Sequence, residues 1–207
     1  MSVRRLAAEQ PESFAFSEAN QAWAEAQIGN YPAGREQSAV IPLLWRAQEQ
    51  AGGWLPEPAL RHVAELLNMP YIRVYEIATF YTMFNLAPVG RHLVQVCVTT
   101  PCWLRGSDAL EQICQQEIGA AESVSADGAF TWRRVECLGA CVNAPVVQIN
   151  ADFHEDLEAA SFRDLLSRLR AGEKVSSGSH VGRHSSEPCS AAAGQATGRQ
   201  QSDLKFE

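Results

Sequence analysis

Two close pairs of cysteines constrain this chain more than anything else in it. Cys97 and Cys102 lie in CVTTPC, Cys137 and Cys141 in CLGAC, and 34 residues separate the pairs. Four thiols grouped two and two can hold a metal centre whose halves come from separate loops. A fold that does this must deliver both loops to one place. The remaining cysteines, Cys114 and Cys189, stand outside the pattern.

Whether thiols are ligands or disulfides depends first on compartment. The opening residues MSVRRLAAEQPES hold two arginines but no apolar core, so a secretory signal is not expected, and Glu9 and Glu12 do not suit an organellar presequence. No stretch approaches the roughly 18 apolar residues that would span a bilayer. The expected setting is a reducing cytoplasm, where six cysteines are ligands or free thiols rather than disulfides. A net charge of −7 argues against non-specific nucleic-acid binding, which needs a basic field.

Hydrophobic periodicity divides the chain into four parts. Residues 1–16 show none and are expected to form a loose arm. Residues 17–90 read as a helical bundle. Its first helix runs from an N-cap at Ser17 to a stop at Gly29, its second covers 36–51, with Val40, Leu43, Leu44, Ala47 and Ala51 on one face, and its third covers 57–67. A fourth runs from Pro70 through TFYTMF, with Phe80, Tyr81 and Phe84 expected in the bundle core or partly against a partner.

From 91 to 172 the period changes. RHLVQVCVTT alternates as a strand, Ser107 caps a helix with Leu110, Ile113, Cys114 and Ile118 inward, and an Asp127-Gly128 turn leads to a strand at 130–136. VVQIN at 146–150, an extended piece at 152–156 and a helix at 158–170 complete a β-α-β-β-α order, and hence a small layered α/β or α+β domain. Residues 173–207 contain four large apolar residues, Val175, Val181, Leu204 and Phe206, and are expected to be a disordered tail.

Each cysteine pair sits where a strand gives way to a loop, and Gly106, Gly139 and Ala140 leave backbone N–H groups free to approach sulfur. Three readings of the four thiols stand at this point. A [2Fe–2S] cluster takes two thiolates on each iron and carries a charge of −2, or −3 when reduced. A structural zinc ion takes four cysteines at similar spacing. Two disulfides, or plain buried thiols, are the third. Cys114 belongs to a helix core, and Cys189 is a free thiol of the tail. Trp103, beside Cys102, either shields the site or packs.

No other chemistry is legible. The chain has no G-x-G-x-x-G fingerprint, no Walker loop and no Ser/His/Asp arrangement. Its five histidines, His62, His92, His154, His180 and His184, are scattered except for HVGRH, whose spacing suits a metal but whose place in the tail does not. No catalytic residue is assigned.

The segments YPAGREQSAVIPLLWRAQEQAGGW, VAELLNMPYIRVYEIATFYTMFN, PVGRHLVQVCVTTPCWLRG and ECLGACVNAPVVQIN resemble, in unbroken order over about 17–170, the E subunit of the proton-translocating NADH:quinone oxidoreductase, respiratory complex I. The resemblance implies an α+β fold, a helical bundle followed by a thioredoxin-like [2Fe–2S] ferredoxin domain. It implies that Cys97, Cys102, Cys137 and Cys141 bind the iron of one [2Fe–2S] cluster. It places FMN and NADH on a partner subunit, on the cytoplasmic peripheral arm of a membrane-bound complex, with no membrane insertion by this chain. The near alternative is the diaphorase subunit of an NAD-linked hydrogenase or formate dehydrogenase. The alternative of a different class is a zinc-stabilised four-cysteine binding module without redox role. Pro145 sits where thioredoxin-like folds often keep a cis proline. With the four ligands so placed, Cys189→Ser should leave the visible spectrum of the purified chain unchanged; a lost spectrum would put Cys189 among the ligands.

Overall fold

A computed structural model of the chain describes residues 4–186. Helix α1 spans Glu18–Ile28, and Ser17 caps it by accepting a hydrogen bond from the Asn20 N–H at 3.3 Å. A 3₁₀ turn at Glu36–Ala39 leads into α2, Val40–Gln50, followed by α3, Glu57–Leu66, and α4, Tyr71–Phe80. Val40, Leu43, Leu44 and Ala47 of α2, Leu60 and Val63 of α3, and Val74 and Ala78 of α4 close one apolar core. At roughly 1.5–3 kcal/mol for each large side chain, that burial outweighs the modest helix propensity of the β-branched residues.

Three expectations for this half fail for identifiable reasons. Helix α4 stops at Phe80, because Tyr81 turns extended. Phe80 is therefore 77% exposed and Tyr81 39%, while Phe84, past the break, is fully buried. The segment expected to be loose is tied down from residue 4 to residue 16. Arg4 donates to the carbonyls of Thr79 at 3.0 Å and Tyr81 at 2.9 Å and also to that of Phe84, so one guanidinium satisfies carbonyls that the end of α4 leaves open. The Ala7 N–H bonds Leu86 O at 2.9 Å, and Phe16 enters the core. Periodicity could not reveal an arm held by one cation, one backbone bond and a few unevenly spaced apolar side chains.

The second half is built on a five-stranded sheet of order β2-β1-β3-β4-β5. Strand β1 is His92–Cys97, β2 Phe130–Val135, β3 Val147–Ile149, β4 Asp152–Glu155 and β5 Gly178–Ser179. β1 and β2 run parallel, joined through helices α5, Thr100–Leu104, and α6, Ser107–Glu117. β3 pairs antiparallel with both β1 and β4. After β4 comes α7, Ala159–Arg170, opened by a capping box between Glu158 and Ser161. Val94, Val96, Trp132, Val147 and Ile149 of the sheet meet Leu110, Ile113 and Cys114 of α6 and Phe162 and Leu165 of α7 in a second core. Cys114 takes the place read from helical spacing: it is fully buried, and burial pushes its thiol up to about 12. Gly90 joins the two halves, with its N–H on Thr131 Oγ1 at 2.9 Å; a Cβ there would lie 2.4 Å from the Phe130 carbonyl carbon, so only glycine fits.

The helix expected from an N-cap at Ser107 instead begins after Gly106, whose φ of 97° makes the turn out of α5. The Ala144–Pro145 bond is cis. The disordered tail expected from 173 onward does not hold as far as 186, because β5 pairs parallel with β4 and the residues after it bond to the same strand. Polar bonds rather than apolar burial hold this segment, which is why composition concealed it. Residues 187–207, with Cys189, lie outside the described residues.

Strands β4 and β5 meet at a histidine pair, His154 Nδ1 and His180 Nε2 lying 3.1 Å apart. Burial, and then the His180 charge, push His154 down to about 4. The unfolded chain, with its histidine near 6.5, therefore binds more protons than the folded one between these values, and stability falls as pH drops through that window. For His154 alone the loss at pH 5 relative to pH 7 is roughly 2 kcal/mol. Urea midpoints at the two pH values should show it, and His154→Gln should remove most of that difference; a wild-type midpoint unchanged from pH 7 to 5 would contradict the burial of this pair.

Candidate metal centre

Each thiol reaches the site from the end of a regular element. Cys97 is the last residue of β1, and Cys102 lies in the first turns of α5, which Thr99 and Pro101 open. Cys137 follows β2, and Cys141 begins a 3₁₀ turn, Cys141–Asn143. Because β1 and β2 are parallel neighbours with Cys97 opposite Val135, their C-terminal ends deliver both loops to one edge of the sheet. β3 then leads away through Val146, whose carbonyl accepts the Cys97 N–H at 3.2 Å.

The four cysteines are free thiols and come together in pairs. Cys137 Sγ and Cys141 Sγ are 3.6 Å apart. Cys97 and Cys102 are likewise hydrogen-bond partners. The pairs differ in burial. Cys97 and Cys102 are each 1% exposed, packed with Ala140, Ala144 and Val146, whereas Cys137 and Cys141 face outward.

Hydrogen bonds to sulfur sort the thiols further. Burial works to raise Cys97, but the Thr99 hydroxyl, 3.3 Å from its sulfur, and the N–H groups of Leu138 and Thr99 outweigh it and leave Cys97 below its ordinary value. Burial, and then the bond to Cys97, push Cys102 up to about 12. The Gly139 N–H, 3.4 Å from Cys137 Sγ, lowers Cys137, helped by Cys141 and Thr99; the bond to Cys137 raises Cys141 in turn. Each pair is thus one thiol favoured as thiolate and one favoured as thiol. Binding a cation in place of the shared proton releases it and satisfies both sulfurs.

This donor set fits a binuclear iron–sulfur cluster. Four soft sulfurs suit iron–sulfur or zinc. A single tetrahedral ion, however, needs all four at about 2.3 Å from one point. Two pairs, each with its own N–H donors, match two irons with two thiolates apiece. Gly139, with φ at 82° and open space where a Cβ would stand, lets its N–H face sulfur.

Not every sequence expectation lands here. Gly106 donates to Trp103 O rather than to sulfur. Trp103 is 60% exposed and so is not core packing; Leu104, next to it, and Val142, next to Cys141, are exposed as well. His180 and His184 do not form a site together: His180 pairs with His154, and the His184 carbonyl accepts from Asn143. Thr99, Leu138 and Val146 were not singled out by sequence. Only Thr99 left a signal, a hydroxyl between two ligand-type cysteines.

Comparisons with known proteins agree with the geometry. The family model described as thioredoxin-like [2Fe-2S] ferredoxin matches residues 24–170. The NADH-quinone oxidoreductase E subunit of Rickettsia bellii (strain RML369-C) is 53% identical over 159 residues, covering 76% of this chain and 95% of that protein. An E subunit of the same enzyme from Rhizobium meliloti (strain 1021) is 55% identical over 177 residues, 84% of this chain and 64% of that protein. An NAD+-reducing [NiFe]-hydrogenase in the air-oxidised state shares the fold at a TM-score of 0.54 and 24% identity; the match covers 62% of this chain and 23% of the hydrogenase chain. A family match over 24–170 and identity above one half with both relatives leave one conclusion: this chain belongs to the thioredoxin-like [2Fe–2S] ferredoxin family, among the E subunits of NADH-quinone oxidoreductase.

Proposed function

We propose that this chain is an electron-transfer subunit of the NADH dehydrogenase module of an NADH:quinone oxidoreductase, with Cys97, Cys102, Cys137 and Cys141 as the ligands of its [2Fe–2S] cluster. The observation that carries the reading is the paired thiols, one pair buried and one facing outward, at the end of parallel β1 and β2 in a chain 53% identical to a known E subunit. When bound, the cluster supplies a one-electron couple whose charge changes by one unit.

The chain's own residues prepare for that charge. The N–H groups of Thr99, Leu138, Val146 and Gly139 point at sulfur and stabilise negative charge without reorganising. Burial of Cys97 and Cys102 among Ala140, Ala144 and Val146 keeps water from the inner half. Cys137 and Cys141 present the outer half to a partner, and the exposed Trp103, Leu104 and Val142 offer that partner apolar surface. The partner is a subunit carrying FMN and NADH, a reading supported by the likeness to E subunits of NADH-quinone oxidoreductase. The assembly is the peripheral arm of complex I on the cytoplasmic face of the membrane; among the described residues no helix is long and apolar enough to cross a bilayer. Identity to quinone oxidoreductase subunits supports this role over that of a hydrogenase diaphorase, for which the likeness is one of fold.

Anaerobically purified protein should show a visible spectrum typical of iron–sulfur protein and, after dithionite, an EPR signal. Serine at any of Cys97, Cys102, Cys137 or Cys141 should abolish or distort that signal, while Cys114→Ser should keep it. A colourless, EPR-silent protein with stoichiometric zinc would sink the proposal in favour of a zinc-stabilised binding module.

A further inference from the structure

Strand β4 and the segment after α7 bury more charge than a two-residue strand pairing needs. Glu155 is 1% exposed and Asp156 8%. Taking a carboxylate out of water costs several kcal/mol unless it is paired and hydrogen-bonded. Both carboxylates are hydrogen-bonded, and Asp156 is ion-paired as well. Glu155 accepts from Asn143 Nδ2 at 2.6 Å, from Ser186 Oγ at 2.6 Å and from the Ser186 N–H at 3.0 Å. Asp156 accepts the fork of Arg183, with Nε at 3.1 Å and Nη2 on the other oxygen, together with Ser179 Oγ at 2.6 Å.

These bonds converge on one short piece of chain, the turn that begins at Cys141. Asn143 Nδ2 reaches both Glu155 and the His184 carbonyl, the latter at 2.7 Å. The Asn143 carbonyl accepts the Asp156 N–H at 2.7 Å. Arg183 Nη2, while held by Asp156, also donates to the Val142 carbonyl at 3.3 Å. The two residues that follow Cys141 are therefore both fastened to β4, partly through residues 183–186.

We propose that Arg183, Asp156, Glu155 and Asn143 are positioning residues of the metal centre: a clamp that sets where the Cys141 sulfur stands. The proposal rests on the assignment of Cys141 as a ligand made above. None of the four acts on sulfur directly; they fix the turn that carries it. The Arg183 side chain is 51% exposed, whereas the Asp156 side chain it pairs with is nearly buried, so the ion pair is half screened and its cation offsets the burial of that carboxylate. Its planar fork, with Nε and Nη2 both on a nearly buried carboxylate and Nη2 also on the turn, supplies geometry that an ammonium cannot.

The test uses the full-length chain with its cluster and the variants Arg183→Ala, Arg183→Lys and, as a control, Arg168→Ala, which removes a surface pair with Glu173. Arg183→Ala should shift the EPR g values and release iron to a chelator faster, by on the order of tenfold, as loss of supporting residues at metal sites commonly does. Its urea midpoint should fall as well, because Asp156 is left nearly buried without its cation, so the g values and the release rate, not the midpoint, carry the test. Arg183→Lys keeps the charge but not the fork, and should also lose iron faster than wild type. Arg168→Ala should match wild type throughout. Wild-type g values and release rate in Arg183→Ala overturn the clamp, as does a lowered urea midpoint with spectrum and release rate unchanged, which would make the segment a fold element only. Should Arg183→Ala not fold, wild-type behaviour of Arg183→Lys overturns it instead. A wild-type chain that binds no cluster fails the proposed function, and the clamp with it; a clustered wild type with an unaffected variant fails the clamp alone.

Discussion

Bringing four sulfurs to one end of a sheet is the constraint around which this molecule is arranged. Thiolates brought close together repel one another, and on the proposed ligand set the energy that holds them together would come from a cation between them and from N–H dipoles around them. Dipoles help only if they are already in place. The structure meets this by drawing its donors from places where backbone is rigid or unusually free: the start of α5 at Thr99, the residue before β3 at Val146, and a glycine in left-handed conformation at 139. The second core fixes the sheet from which these points hang, and the parallel pairing of β1 with β2 brings two loops, far apart in sequence, to a common edge.

The helical half relates to that edge at arm's length. Its core is separate, and Gly90 is the joint at which backbone meets backbone with no room for a side chain. Its conspicuous surface feature, Phe80 and Tyr81 beyond the end of α4, exists because the chain straightens there, and Arg4 answers the carbonyls so exposed. Arg4 thus joins the Ala7 N–H and the Phe16 ring in holding residues 4–16 on the bundle. It also finishes a helix end that has no glycine cap of its own.

What could be read from sequence, and what could not, follows the kind of force involved. Apolar periodicity located Val40, Leu43, Leu44 and Ala47 on α2 and Leu110, Ile113 and Cys114 on α6, because burial of area repeats with the helix. It also separated Cys114 from the thiols at the loops. It misjudged Phe80 and Tyr81, since nothing in TFYTMF announces where the backbone will leave the helix. It missed everything held by single polar contacts at long range: Arg4 on α4, Thr99 between Cys97 and Cys137, and Asp156 with Arg183. Such pairings have no period, and residues 173–186 looked structureless because their partners lie in β4 and in the Cys141 turn. The two-and-two spacing of the thiols was legible from the start. Which pair would be buried was not, because that depends on how Ala140, Ala144 and Val146 fold back over Cys97 and Cys102.

The bonds from residues 183–186 to the Cys141 turn carry a consequence for biosynthesis. All four cysteines of the centre, and every strand up to β4, emerge from the ribosome before the segment that fastens this turn to its neighbour. A nascent chain can therefore display the complete set of sulfurs while one of their supports is still inside the exit tunnel. On the proposed clamp, the turn that carries Cys141 gains these bonds only once residues 183–186 have folded back onto it.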